Sequence, residues 1–258
     1  MTDSPKKKIL VVDDEITVCK SIRNAIVSDD YEVDTSLSGE EALKKQAEKN
    51  YDLVITDLMM PGISGLDLLK GLKDMSSPAK VIMITGYPTI RTAVQSVKMG
   101  AFDYLPKPFT PAELRSLVAR AFKAAESEEK GLEEPEEVKM PAGLYYMLGH
   151  AWMKREESGL AIVGVVYDFL KPIGIITQID LPAVGDKVSQ GEICGKITDA
   201  EKFTHRIWSP ASGRVVEANT KLKDDPSLLR KGPYEAGWLF RVEPTSFDED
   251  IKGLLLSK

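Results

Sequence analysis

In the first half of the chain, short apolar runs alternate with segments of helical periodicity, and this alternation leaves few folds open. Runs at 8–13, 31–36, 52–57, 80–85 and 103–107 read as strands. Segments at 16–28, 39–49, 64–74, 89–100 and 110–125 read as helices. Ser38 with Glu41 three residues on predicts a capping box opening the second helix. Thr110-Pro111 places proline at the first position of the last helix, where its missing N–H costs nothing. Five strand–helix units in succession predict an α/β fold, a parallel sheet with helices on both faces. Functional groups on such a sheet gather at the carboxyl ends of the strands.

Asp13-Asp14, Asp57, Thr85 and Lys107 all fall at those ends. A carboxylate can attack phosphorus and form an acyl phosphate. Clustered carboxylates repel one another unless a cation lies among them, and Mg²⁺ bridges carboxylate and phosphoryl oxygens. Asp13, Asp14 and Asp57 therefore read as a Mg²⁺ site with Asp57 as phosphoryl acceptor. Lys107 supplies a point charge for the incoming group, and Thr85 a hydroxyl that can follow a phosphoryl oxygen. Each residue alone has an ordinary explanation, such as a turn, a cap or a strand end. The ordered set at four strand ends is much harder to reach by chance.

Val11-Val12-Asp13-Asp14-Glu15, Asp57 with Met60-Pro61-Gly62 and Gly65, Ile84-Thr85-Gly86 and Lys107-Pro108-Phe109 together resemble a response-regulator receiver domain over about residues 5–125. The resemblance implies a flavodoxin-like (βα)5 fold with strand order 2-1-3-4-5, and phosphotransfer from a sensor histidine kinase to Asp57. It implies that Asp14 and Asp57 bind Mg²⁺ directly, that Asp13 does so through water, and that the Met59 carbonyl is a backbone ligand. Tyr104 matches the switch aromatic that turns inward as Thr85 moves, and Lys107-Pro108 is expected cis. The stretch from Ile84 to Ala93 is most similar to receivers of nitrogen-regulator type. No Gly-rich phosphate loop and no DNA-reading helix pair follows it.

Residues 126–142 are acidic and broken by Gly131 and Pro135, the composition of a solvated spacer. Beyond them the pattern turns to short strands and turns, with strand-like runs at 160–166 and 173–181 and short helical stretches near 167–171 and 226–231. Trp152, Trp208 and Trp238 all lie here, and core packing explains them better than a ligand platform.

His150-Ala-Trp152, Leu181-Pro-Ala-Val-Gly185-Asp186, Ser209-Pro-Ala-Ser-Gly213 and Pro233-Tyr-Glu-Ala-Gly-Trp238 together resemble the H-protein of the glycine cleavage system, over about residues 143–258. The resemblance implies a mostly β flattened barrel, the barrel-sandwich hybrid of lipoyl/biotinyl type, with a lipoyl-bearing lysine at a hairpin tip. Lys202 stands at the matching distance from Ser209-Pro210. The family pattern departs on the other side. The stretch from Gly191 to Lys202 is one residue longer than usual, Asp199-Ala-Glu-Lys202-Phe replaces Glu-Ser-x-Lys-Ala, and His150-Ala-Trp152 replaces His-Glu-Trp. An extra residue in a hairpin can re-aim a side chain. These departures favour an unmodified turn lysine over a lipoylated one. A transition-metal site at His150 and His205 is the weakest alternative.

The 258 residues suffice for two domains, and a net charge of −6 with no basic face excludes a nucleic-acid footprint. Cys19 and Cys194, far apart, predict neither a disulfide nor a metal pair, and so a reducing compartment. No apolar run approaches a membrane span and no signal peptide is evident, so the expectation is a cytoplasmic protein. The combined reading is a response regulator, not an enzyme beyond autodephosphorylation. Its output is protein–protein contact with an unknown target of the H-like unit, or self-association into a homodimer. The rivals are a lipoyl carrier gated by the receiver and a non-lipoylated scaffold docking to a metabolic enzyme.

Overall fold

The computed structural model describes residues 6–86, 90–129, 138–147 and 149–258. The chain forms two compact units that change over between Ala125 and Glu126. Residues 130–137 of the acidic stretch 126–142 lie outside the described residues, as does the 87–89 portion of the segment after Thr85.

In the first unit, strands β1 (Lys7–Val12), β2 (Tyr31–Ser36), β3 (Leu53–Asp57), β4 (Lys80–Thr85) and β5 (Asp103–Pro106) alternate with helices α1 (Ile16–Ile26), α2 (Gly39–Lys49), α3 (Gly65–Asp74), α4 (Ile90–Lys98) and α5 (Pro111–Glu129). The strands form one parallel sheet, as the alternation predicts, in the order β2-β1-β3-β4-β5 that the resemblance implies. β3 is buried along its whole length, which is why it reads as a continuous apolar run and not as an alternating one. Ile9, Val11, Ile55, Ile82, Ile84 and Leu105 on the sheet pack against Cys19, Ile22 and Ile26 of α1 and Leu114, Val118 and Phe122 of α5.

The helix starts differ in how they are capped. At α2, the Ser38 hydroxyl accepts from the Glu41 N–H at 3.2 Å, but the reciprocal half of the expected box is absent. The Glu41 carboxylate instead accepts from the Leu37 N–H and the Ser36 hydroxyl, and pairs with Lys45 at 2.6 Å. One turn into the helix, Lys45 and the free amide of the preceding loop compete for it and win. A full reciprocal box forms at α3 between Ser64 and Asp67, and another at α5 between Thr110 and Glu113.

The second unit is antiparallel. β10 (Lys187–Val188), β13 (Gly213–Ala218), β14 (Phe240–Pro244), β8 (Ala161–Val165), β7 (Ala151–Arg155), β6 (Tyr145–Tyr146) and β15 (Leu255–Leu256) make a seven-stranded sheet in that spatial order. β12 (Thr204–Trp208), β11 (Ile193–Asp199) and β9 (Ile176–Asp180) make a three-stranded one. Short helices α6 (Tyr167–Leu170), α7 (Lys221–Asp224), α8 (Leu228–Lys231) and α9 (Phe247–Asp250) fill the corners. The run predicted as a strand from 173 begins only at Ile176. Just before it, the carbonyls of Leu170, Ile173 and Gly174 accept from the Arg230 guanidinium.

Trp152 is buried opposite Gly164 on the adjacent strand, where a Cβ would lie 2.4 Å from the indole. Its ring N–H donates to the Pro233 carbonyl at 3.1 Å. Trp208 is buried too, and Trp238 is half-buried beneath the Arg241 guanidinium. The tryptophans serve packing.

Candidate functional site

β1, β3, β4 and β5 end side by side, and their last residues or the ones just beyond carry the polar groups. Asp13 follows β1, Asp57 ends β3, Thr85 ends β4 and Lys107 follows β5. The Lys107 ammonium bridges two carboxylates, donating to Asp57 Oδ2 at 2.6 Å and to Asp13 Oδ2 at 2.9 Å. Asp13 and Asp57 are both buried, and Asp14 is exposed beside them. Asp13 Oδ1 accepts from the Glu15 N–H at 3.0 Å, and Asp57 Oδ1 from the Met59 N–H at 2.8 Å. Thr85 ends β4, Tyr104 lies within the adjacent β5, and both side chains are buried. The Lys107-Pro108 bond is cis.

Gly65 sets the shape of the loop that follows Asp57. A Cβ there would stand 2.2 Å from the Asp57 carbonyl oxygen, so only glycine lets α3 start this close to the strand end. The Gly65 N–H donates to the Leu58 carbonyl, closing the turn.

Burial is the main influence on Asp13 and pushes its carboxyl above the usual range, against the opposing pull of Lys107 and the Glu15 amide. Burial acts on the Lys107 ammonium in the downward direction, but its hydrogen bonds to Asp57 and Asp13 outweigh it and the ammonium is held up. Two buried carboxylates share one cation, with a third carboxylate adjacent. That oxygen-only, net negative site fits a hard divalent cation. Among the described residues no three His, Cys, Asp or Glu side chains already converge as a metal cage.

In the second unit, Lys202 is exposed at the tip of the β11–β12 hairpin. Its N–H donates to the Asp199 carbonyl at 3.0 Å, and its φ of 68° lies in the left-handed region. This is the three-residue hairpin loop, a tight turn followed by one left-handed residue. The pairing shifts between Ile193 and Gly195, so a bulge at Cys194 takes up one residue, and pairing is regular from Gly195 to Thr198.

Sequence reading alone missed the partnership beneath that tip. Asp199 and His205 are both buried, and His205 Nε2 lies 3.0 Å from Asp199 Oδ2. His205 pairs across the strands with Ile197, which puts Asp199 on the same face as its diagonal neighbour. The pairing is readable only once the hairpin register is known. It also commits His205 to a carboxylate and leaves the His150–His205 metal site without support. Cys19 and Cys194 are buried thiols in separate units, and burial pushes them up to about 11 and about 12.

Comparison with known proteins follows the same division. Residues 9–119 match the response regulator receiver domain family, and residues 144–258 match the glycine cleavage H-protein family. The glycine cleavage system H protein of Streptomyces avermitilis is 38% identical over 111 residues, which are 43% of this chain and 88% of that protein. A probable glycine cleavage system H protein of Thermococcus gammatolerans is 35% identical over 119 residues, 46% of this chain and 87% of that protein. Among solved structures, an H protein from Mycobacterium marinum matches with 34% identity over 45% of this chain and 92% of its own, at a TM-score of 0.40. A response regulator receiver domain protein from Clostridium thermocellum matches with 35% identity over 49% of this chain and 99% of its own, at a TM-score of 0.44. The chain therefore joins two families, a response regulator receiver domain in its first half and a member of the glycine cleavage H-protein family in its second.

Proposed function

We propose that the receiver half accepts a phosphoryl group on Asp57 from a sensor histidine kinase and that the H-protein-like half delivers the output. One observation carries this reading: residues 13, 57 and 107, remote in sequence, meet as two buried carboxylates on one ammonium at the strand ends. In the transfer, an Asp57 oxygen forms the new O–P bond as the P–N bond to the kinase histidine breaks. The imidazole leaves and takes up a proton. A bound Mg²⁺ supplies neutralisation of the phosphoryl oxygens. Asp13, Asp14, Asp57 and the Met59 carbonyl would hold it. Lys107, already on Asp57, follows the negative charge onto the phosphoryl group. Thr85 offers its hydroxyl to the same group, and Tyr104 occupies the space beside it. The phosphoryl group shifts a pre-existing equilibrium only through contacts that differ between the two states.

The acidic stretch 126–142 acts in this reading as the connection between units 5–125 and 143–258. Output is contact with another protein or self-association, with no DNA reading. No helix of the described residues is long and apolar enough to cross a membrane. Treating the full chain with acetyl phosphate should label it only when Mg²⁺ is present, and Asp57→Asn should abolish the label. Equal labelling of Asp57→Asn would sink the reading.

A second reading, with lipoate on Lys202, is favoured by one observation: Lys202 stands exposed at the tip of a hairpin whose strands pair regularly from Gly195 to Thr198. Lipoate would join through an amide to the Lys202 Nζ, and the exposed tip would let the arm reach partner enzymes. Intact mass of the protein from its native cell decides this. The expected result is a lipoyl adduct that disappears in Lys202→Arg, and an unmodified mass in lipoate-replete cells leaves the scaffold reading.

A further inference from the structure

We infer that Asp199 and His205 form a buried clamp that fixes the conformation of the tip presenting Lys202. The assignment of Lys202 as the group presented rests on the lipoyl reading above, whereas the clamp itself does not. Four interactions converge on Asp199. Its carbonyl accepts from the Lys202 N–H at 3.0 Å, and its own N–H donates to the Phe203 carbonyl at 3.1 Å. Its carboxylate accepts from the Phe203 N–H at 2.9 Å through Oδ1 and meets His205 Nε2 at 3.0 Å through Oδ2. The third strand adds a brace. The Ala200 N–H donates to the Ile175 carbonyl at 2.8 Å, and the Thr177 hydroxyl bonds the carbonyls of Thr198 and Asp199.

The arrangement solves a specific problem. Lys202 occupies a left-handed position that ordinarily takes glycine or asparagine, because an L side chain there meets its own backbone. A bulky residue holds that conformation only when its surroundings over-determine it. The Phe203 amide, next in the chain, finds its acceptor in the Asp199 side chain, and His205, the diagonal neighbour on the same face, holds that side chain in place. Asp199 and His205 are buried, so neither is offered at the surface to a partner. Their role is positioning: they aim the lysine.

The test uses the full-length chain and two readouts. Amide hydrogen exchange at Phe203 is compared among the unaltered protein, Asp199→Ala, His205→Ala and His205→Gln. The fraction of chains carrying a lipoyl mass is measured on the same set from lipoate-replete cells. The clamp requires exchange at Phe203 to quicken by roughly tenfold in the two alanine variants, the factor of one lost charge-assisted hydrogen bond. His205→Gln still offers an N–H to Asp199 and should stay near the unaltered protein. Exchange in the β13–β14 pairing should not change, which separates a loosened tip from a lost fold. If Asp199→Ala fails to fold, the two His205 variants carry the comparison. Unchanged exchange at Phe203 in the folded variants overturns the clamp. A loosened tip with undiminished lipoyl occupancy overturns its role in presenting Lys202. Absence of lipoyl mass in the unaltered protein refutes the carrier reading, and the exchange data still decide the clamp.

Discussion

Burial makes the ionised form of Asp13 costly. Its carboxyl group is buried, and Lys107 is shared with Asp57. A carboxyl whose folded-state pKa is raised contributes most to stability below its ordinary pKa. That contribution is lost as pH rises through the folded value. Asp13→Asn removes the charge and keeps an oxygen for the Glu15 amide and Lys107. In the absence of Mg²⁺ the variant should therefore be more stable than the unaltered chain at neutral pH, by about 1 kcal/mol. The advantage should shrink on acidification, as denaturant titrations at several pH values would reveal. The same variant should lose Mg²⁺-dependent labelling, since stability and function oppose each other at this residue. Equal or lower stability at neutral pH would contradict the claim that burial dominates at Asp13.

The loop from Asp57 to α3 shows how an element is shaped by a neighbour it does not touch in sequence order. Gly65 reads in the sequence as one of two glycines after Met60-Pro61, and its reason is visible only against the Asp57 carbonyl. Gly65→Ala would drive a methyl into backbone that cannot move without shifting Asp57. It should destabilise the receiver unit by about 1–3 kcal/mol. It should also slow phosphodonor labelling more than a substitution on the exposed face of α3 with the same loss of stability. Labelling at the normal rate would mean that the loop tolerates displacement. The α2 start teaches the opposite lesson. Ser38 and Glu41 have the spacing of a capping box, yet Lys45 and the Leu37 amide divert the glutamate. Local spacing proposes partners, and competition among nearby groups selects them.

At the scale of the molecule, a receiver domain and an H-protein-type fold share one chain. If the state of Asp57 governs the H-like half, acetyl phosphate with Mg²⁺ should change the rate at which Lys202 is acylated by a lipoate ligase. It should do so in the unaltered chain and not in Asp57→Asn. Identical rates with and without the phosphodonor would leave the two halves independent.

The sequence by itself determined the five-unit parallel sheet, because short continuous apolar runs alternating with segments of 3.6 periodicity, five times over, admit little else. It also determined which polar residues stand at the strand ends, since strand ends are marked by the apolar runs. Tertiary structure alone decided which of those residues share a partner. Lys107 lies 50 residues from Asp57 and 94 from Asp13, and only the closing of the sheet brings its ammonium to both. In the second half, turn residues marked the strands, but their register was not legible. The bulge at Cys194 and the Asp199–His205 pair both follow from that register. Register is a property of two strands together, set by what each face buries, and one strand's sequence does not contain it.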